Sequence, residues 1–197
     1  MRKVLLYVAS FCLICSLAST ARAQQFDLSF GMSGLVAPAT SSLTGLQTVG
    51  GGSFSTIGLD FLFYHNLGVG FNAAFRNHAT LFQGFQPFRP FFYDVDAVYA
   101  PQLGKRVQPE LSAGIGVESV RFYTPFLTCS SFTGCSNFVS SNHFLGQFGG
   151  GLRLYVTQRI FIRPEAHLYI VRNNVEFSGS TATRIGVSIG YSFKNQE

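Results

Sequence analysis

From Arg184 to Phe193 the chain reads Arg-Ile-Gly-Val-Ser-Ile-Gly-Tyr-Ser-Phe. Ile185, Val187, Ile189, Tyr191 and Phe193 fall on one side, and Arg184, Gly186, Ser188, Gly190 and Ser192 on the other. A period of two is that of a β-strand, whose successive side chains point to opposite faces. Seven further runs alternate in the same way, at 26–35, 54–64, 67–76, 90–100, 108–122, 144–156 and 160–171. Each is near the ~9–11 residues of a strand that crosses a bilayer. Past the N-terminal segment no stretch supplies the ~20 consecutive apolar residues of a spanning helix.

The connections alternate in length. Those at 65–66, 101–107 and 157–159 are short, and those at 36–53, 77–89, 123–143 and 172–181 are longer and rich in Ser, Thr, Asn and Gly. Short turns at one end and long loops at the other mark a transmembrane barrel, and an even strand number lets its sheet close without an edge. The expected fold is therefore all-β, an eight-stranded antiparallel up-and-down transmembrane barrel with both termini at the short-turn end. Strands joined by the short turns share parity, so each of those turns should hold an odd number of residues, and a two-residue turn at 65–66 would contradict the register. Pro164 lies inside the seventh run and lacks a ladder donor, which predicts a bulge or a missing hydrogen bond.

The N-terminus has the pattern of an export signal. Arg2 and Lys3 precede an uncharged apolar run from Val4 to Leu17, and Ala21-Arg22-Ala23 forms an A-x-A cleavage site. Residues 1–23 are expected to be removed, taking Cys12 and Cys15 with them and leaving 24–197 as one domain. Loss of Arg2, Lys3 and Arg22 lowers the formal net charge from +5 to +2. No nucleic-acid or polybasic lipid reading survives that change. Charged residues make up roughly 11% of 24–197, against ~25% in soluble domains.

Those few charges are partitioned. Asp27, Asp60, Asp94, Asp96, Glu110, Glu118 and Glu165 fall on polar strand faces, as do Arg76, Arg153, Arg163 and Arg184. A lysine or arginine on the lipid face at mid-bilayer costs ~2–4 kcal/mol, so the polar faces should line the interior. An eight-stranded barrel is just wide enough for side chains to fill it. The expectation is a plugged lumen in which Asp60, Arg76, Asp94, Asp96, Glu110, Glu118, Arg153, Arg163, Glu165, His167 and Arg184 form a charge network, with opposite charges paired because lone buried ions are costly. Arg121 breaks the pattern, near a strand end where it could snorkel. A lipocalin-like soluble barrel would reverse the two faces.

The pattern over roughly 24–193 resembles the small outer-membrane β-barrels of the OmpA/OmpX type. Gly149-Gly150-Gly151-Leu152-Arg153-Leu154-Tyr155-Val156, followed by Phe161-Ile162-Arg163-Pro164-Glu165-Ala166, is similar to the penultimate hairpin of the outer membrane protein beta-barrel domain family. The resemblance implies the outer membrane of a Gram-negative-type bacterium, with periplasmic termini and contact with outer-membrane lipid and lipopolysaccharide. It also implies a monomer inserted by the barrel-assembly machinery, with Tyr191 and Phe193 as the assembly signal. The tail Lys194–Glu197 departs from the family, which often ends on the aromatic itself.

Chemistry is sparse. Cys129 and Cys135, with five residues between them, predict a loop disulfide in an oxidising compartment. Gly50–Gly52 and Gly149–Gly151 lack the strand-to-helix setting of a phosphate loop. His167 and Glu165 share a face but lack a neighbouring serine, and His65, His78 and His143 are scattered. No cofactor or metal site is expected. Phe82, Phe85 and Phe88, with Phe126, Phe132 and Phe138, are expected to pack the mouth, touch headgroups or form a recognition surface. The sequence thus favours a non-enzymatic barrel with a structural or surface-interaction role in its loops. A narrow pore, an outer-membrane enzyme and a soluble lipocalin-like binder are the alternatives.

Overall fold

The computed structural model describes residues 25–37, 49–64, 66–130, 134–172, 177 and 179–194. Ala21, Ala23 and Phe132 lie outside them. The strands are β1 (Gln25–Val36), β2 (Ser53–Tyr64), β3 (Leu67–Arg76), β4 (Thr80–Phe82), β5 (Gln86–Tyr99), β6 (Val107–Ser130), β7 (Gly134–Tyr155), β8 (Ile160–Val171) and β9 (Thr181–Lys194). β4 is a three-residue return that pairs only with the start of β5. The other strands form one antiparallel sheet in the order β3-β2-β1-β9-β8-β7-β6-β5, and β3 pairs with β5 to close it. The result is an all-β, eight-stranded up-and-down barrel.

The alternation in sequence becomes an alternation of exposure, with the polar side inward. Along β8, Phe161, Arg163, Glu165, His167, Tyr169 and Val171 are buried, while Ile160, Ile162, Pro164, Ala166, Leu168 and Ile170 are exposed. Arg163 is 2% exposed, whereas Ile162 beside it is 38% exposed. A water-soluble barrel would bury the isoleucines and expose the arginine.

The registers keep the expected parity, but by a different device at the first short turn. Asp60 pairs with Gly70 and Leu62 with Gly68, whereas Tyr64 pairs with Leu67, so a bulge lies between Leu62 and Tyr64. Only residues 65–66 separate the two strands. The bulge absorbs one residue, so a two-residue connection coexists with the register it was expected to contradict. Asn66 takes the left-handed conformation there, at φ 67°. At Pro164 there is no bulge. The β7–β8 ladder lapses between Gly151↔Glu165 and Leu154↔Ile162 with its register unchanged, while Pro164 still faces Val187 of β9. The missing N–H is thus accommodated as a gap on one side of the strand.

The third long connection differs from its sequence reading. Most of 123–143 is strand rather than loop, because β6 and β7 continue as a two-stranded ribbon. β5 follows β6 only to Phe88↔Phe122, and β8 follows β7 only to Leu145↔Val171.

Candidate functional site

Two features stand out above the scaffold: a packed lumen and the projecting β6–β7 ribbon. The lumen is built from the short-turn end upward. Leu62, Val98 and Ala100 make a small buried apolar layer at its base. Beside it Gln108 donates to the Ala100 carbonyl at 2.8 Å, and Tyr155 donates to Gln108 at 2.9 Å.

Above that base lies a charged layer centred on Arg153. Asp27 and Asp60 are register partners on neighbouring strands, which sets like charges side by side. The Arg153 guanidinium bridges them, contacting Asp27 and donating to Asp60 at 2.9 Å. Its Nε donates to Glu110 at 2.5 Å. Arg163 donates to Asp60 at 2.9 Å, to Glu110 at 3.1 Å, to Glu165 at 2.9 Å and to Ser29 at 3.0 Å. Arg184 reaches Glu165 at 3.5 Å, and His167 lies 3.8 Å from the same carboxylate. Planar guanidinium groups serve several carboxylates at once, which lysine could not do as well.

A second polar tier holds Asp94, Asp96, Asn72, Gln147 and His167. Asn72 donates to Asp96 at 2.8 Å, and the Gln147 amide contacts His167 Nδ1 at 2.5 Å. Among the described residues no arginine lies within ion-pair distance of Asp94 or Asp96, as expected where seven inward acids outnumber four inward arginines. Glu118 is fully buried on the same inner wall, opposite His143 in register.

The top of the lumen is aromatic rather than polar. Phe54, Phe88, Phe92, Leu145, Tyr169 and Phe177 belong to one buried cluster. Phe92 stacks on Tyr169 at 4.9 Å, and Phe88 packs on Phe177 at 5.2 Å. These residues occupy inward positions on their strands, or reach in from the last long connection, so this end of the lumen is apolar where the alternation predicts polar groups. Arg76 belongs to this lid and not to the ion-pair layer. It donates to the Val49, Gly50 and Gly51 carbonyls at 2.6, 3.0 and 2.8 Å, and lies over Phe54 and Phe88. Its charge is thus met by backbone dipoles.

The ribbon above the barrel carries the disulfide Cys129–Cys135 across register partners. Phe126 and Leu127 are 78% and 72% exposed beside it. Of the other loop aromatics, Phe82 joins Phe88, Phe122 and Phe177 at the mouth, Phe85 is exposed, and Phe138 packs on Tyr123. One contact was not legible in sequence: Ser141 Oγ and His143 Nε2 are 3.1 Å apart near the mouth. At the opposite end Tyr191 packs on Phe193 at 4.7 Å, Phe193 on Phe26 at 5.6 Å, and Arg159 donates to the Tyr191 hydroxyl at 3.0 Å.

No protein-family model and no curated protein matches the chain. Solved structures do. Neisserial surface protein A superposes with a TM-score of 0.60 at 9% identity, covering 85% of this chain and 96% of that one. Ail, the attachment invasion locus protein of Yersinia pestis, gives 0.56 at 14% identity, covering 86% and 99%. The N-terminal β-barrel domain of Pseudomonas aeruginosa OprF gives 0.53 at 12% identity, covering 85% and 97%. The chain has the fold of the small eight-stranded outer-membrane β-barrels of the OmpA/OmpX type.

Proposed function

We propose that this protein is an integral outer-membrane β-barrel with a non-enzymatic, structural or surface-interaction role carried by its β6–β7 ribbon. The supporting observation is the inverted burial. Every described carboxylate is buried in the lumen, while Phe30, Met32, Leu111, Ile115, Ile185 and Ile189 on the outer wall are more than half exposed. An apolar surface wrapping a whole barrel is stable in lipid and not in water. In this reading residues 1–23 are a cleaved signal, both termini are periplasmic, and the long connections face outward. The mature chain is a monomer inserted by the assembly machinery, with Tyr191 and Phe193 in the periplasmic girdle.

The apolar base, the ion-paired middle and the aromatic lid together favour a plug over a channel. Among the described residues the ribbon is the element that projects beyond the sheet, and recognition tends to reside on such projections of a rigid scaffold. Outer-membrane fractionation with a heat-dependent shift in gel mobility tests the location. Recovery in the soluble fraction without detergent would refute it. Mass spectra of lipid extracts from overexpressing cells should match those of control cells. Loss of an acyl chain that depends on Ser141 or His143 would replace the non-enzymatic reading with a hydrolytic one.

A further inference from the structure

The outer rim at the long-connection end carries an arrangement that the lumen plug and the ribbon do not explain. Arg89 of β5 and Arg121 of β6 are register partners on the outward face, and Ser140 of β7 continues the row. Two like charges directly opposite on a sheet repel each other. All the described carboxylates lie inside the barrel, so among the described residues neither arginine has one to offset it. Arg89 donates to the Asn77 carbonyl at 2.8 Å, and its Nε is buried without a hydrogen-bond partner. The guanidinium carbon of Arg121 lies 4.5 Å from the centre of the Phe91 ring and 4.9 Å from that of Phe138. A cation over an aromatic face is held there without using its N–H donors.

The depth of the pair is also defined. Phe75, Phe91 and Tyr93 form a stack on the outer wall immediately below it, at 6.5 and 6.3 Å between rings. Aromatic residues of a barrel's outer wall concentrate where hydrocarbon gives way to headgroups. The arginines therefore stand one step above the apolar band, at headgroup level.

We propose that Arg89 and Arg121 form a site for the phosphate of an outer-leaflet lipid, clamped between the two guanidiniums with the Ser140 hydroxyl as an additional donor. The bound anion cancels the repulsion between the arginines, and its acyl chains lie along the aromatic and aliphatic wall below. A phosphate offers several acceptor oxygens in the geometry that guanidinium N–H groups match. This inference rests on the outer-membrane reading, with the long connections facing outward.

The test is native mass spectrometry of the full mature protein in phosphatidylcholine nanodiscs, titrated with phosphorylated lipid A and with the same lipid after removal of its phosphates. The double variant R89Q/R121Q should bind phosphorylated lipid A about tenfold more weakly than wild type, as expected for lost charge-assisted hydrogen bonds at a partly buried site. The dephosphorylated lipid should not distinguish the two proteins. Arg121→Lys, which keeps the charge but loses the stacked plane, should fall between them. Heat-shifted mobility checks that each variant is folded, and the single variants R89Q and R121Q serve if the double variant is not. Equal binding by wild type and folded variants would overturn the site. Displacement of the lipid by millimolar inorganic phosphate would overturn its assignment to a lipid. If wild type fractionates with the outer membrane yet shows no preference for the phosphorylated lipid, this inference alone fails. If it does not fractionate there, the underlying reading fails.

Discussion

At the scale of single residues, Arg153 shows how a sequence partition becomes an energetic requirement. Asp27 and Asp60 face each other across β1 and β2, and Glu110 approaches from β6. A buried ion pair gains little over apolar packing, but removing one partner strands the other charge. Arg153→Gln should therefore destabilise the folded barrel by about 3–5 kcal/mol, measured by reversible urea unfolding in lipid vesicles. Adding Asp27→Asn to that background should recover part of the loss, because one stranded charge is gone. An unchanged midpoint for the single variant would show that water, not Arg153, satisfies these carboxylates. Arg153 and Asp60 were legible in sequence because their parity set them inward and lipid tolerates them nowhere else. Arg76 was legible as inward but not as part of the lid. Its ligands are carbonyls of Val49–Gly51, and carbonyls carry no sequence signal.

At the scale of elements, strands facing lipid on one side and lumen on the other announced themselves. The β6–β7 ribbon did not. Beyond Phe122 it has no sheet neighbour on either flank among the described residues, so neither face is held to a strict polar or apolar choice, and 123–143 reads as a Ser- and Phe-rich loop. The lid was legible only in part, through Phe82 and Phe88 at the mouth. Phe54 and Phe92 occupy inward parity beside Tyr169, which the alternation did place inward, but alternation carries no sign that inward aromatics of several strands gather into one layer. The β6 half of the ribbon past Phe122 is eight residues, about 25 Å of strand. Among the described residues it pairs only with its own return strand, so replacing residues 124–137 with an Asn-Gly turn should leave the barrel's heat-shifted mobility intact. Any surface binding should disappear with it. Loss of the folded band would mean that the ribbon stabilises the sheet. Reduction of Cys129–Cys135 should likewise leave the barrel folded, since the bond joins two residues already paired within the ribbon.

At the scale of the molecule, the barrel is a filled cylinder. Its apolar base, ion-paired middle and aromatic lid act in series, so opening one leaves the others closed. Planar bilayers containing wild type should show no unitary conductance, and the lid variant Phe88→Ala/Phe92→Ala should remain silent because Arg153 and Arg163 still bridge the wall below. Stable openings in the lid variant would mean that the charged layer is a hydrated path rather than a plug. All of this depends on which face meets lipid. Nitroxide labels at Val187, Ser188 and Ile189 of β9, placed one at a time in vesicle-embedded protein, test that most directly. Collision with dissolved oxygen, which concentrates in hydrocarbon, should be high at Val187 and Ile189 and low at Ser188, with a water-soluble nickel chelate excluded from Val187 and Ile189. Nickel access at Val187 and Ile189 with oxygen favoured at Ser188 would mean that the apolar face looks into water and would contradict the inverted barrel.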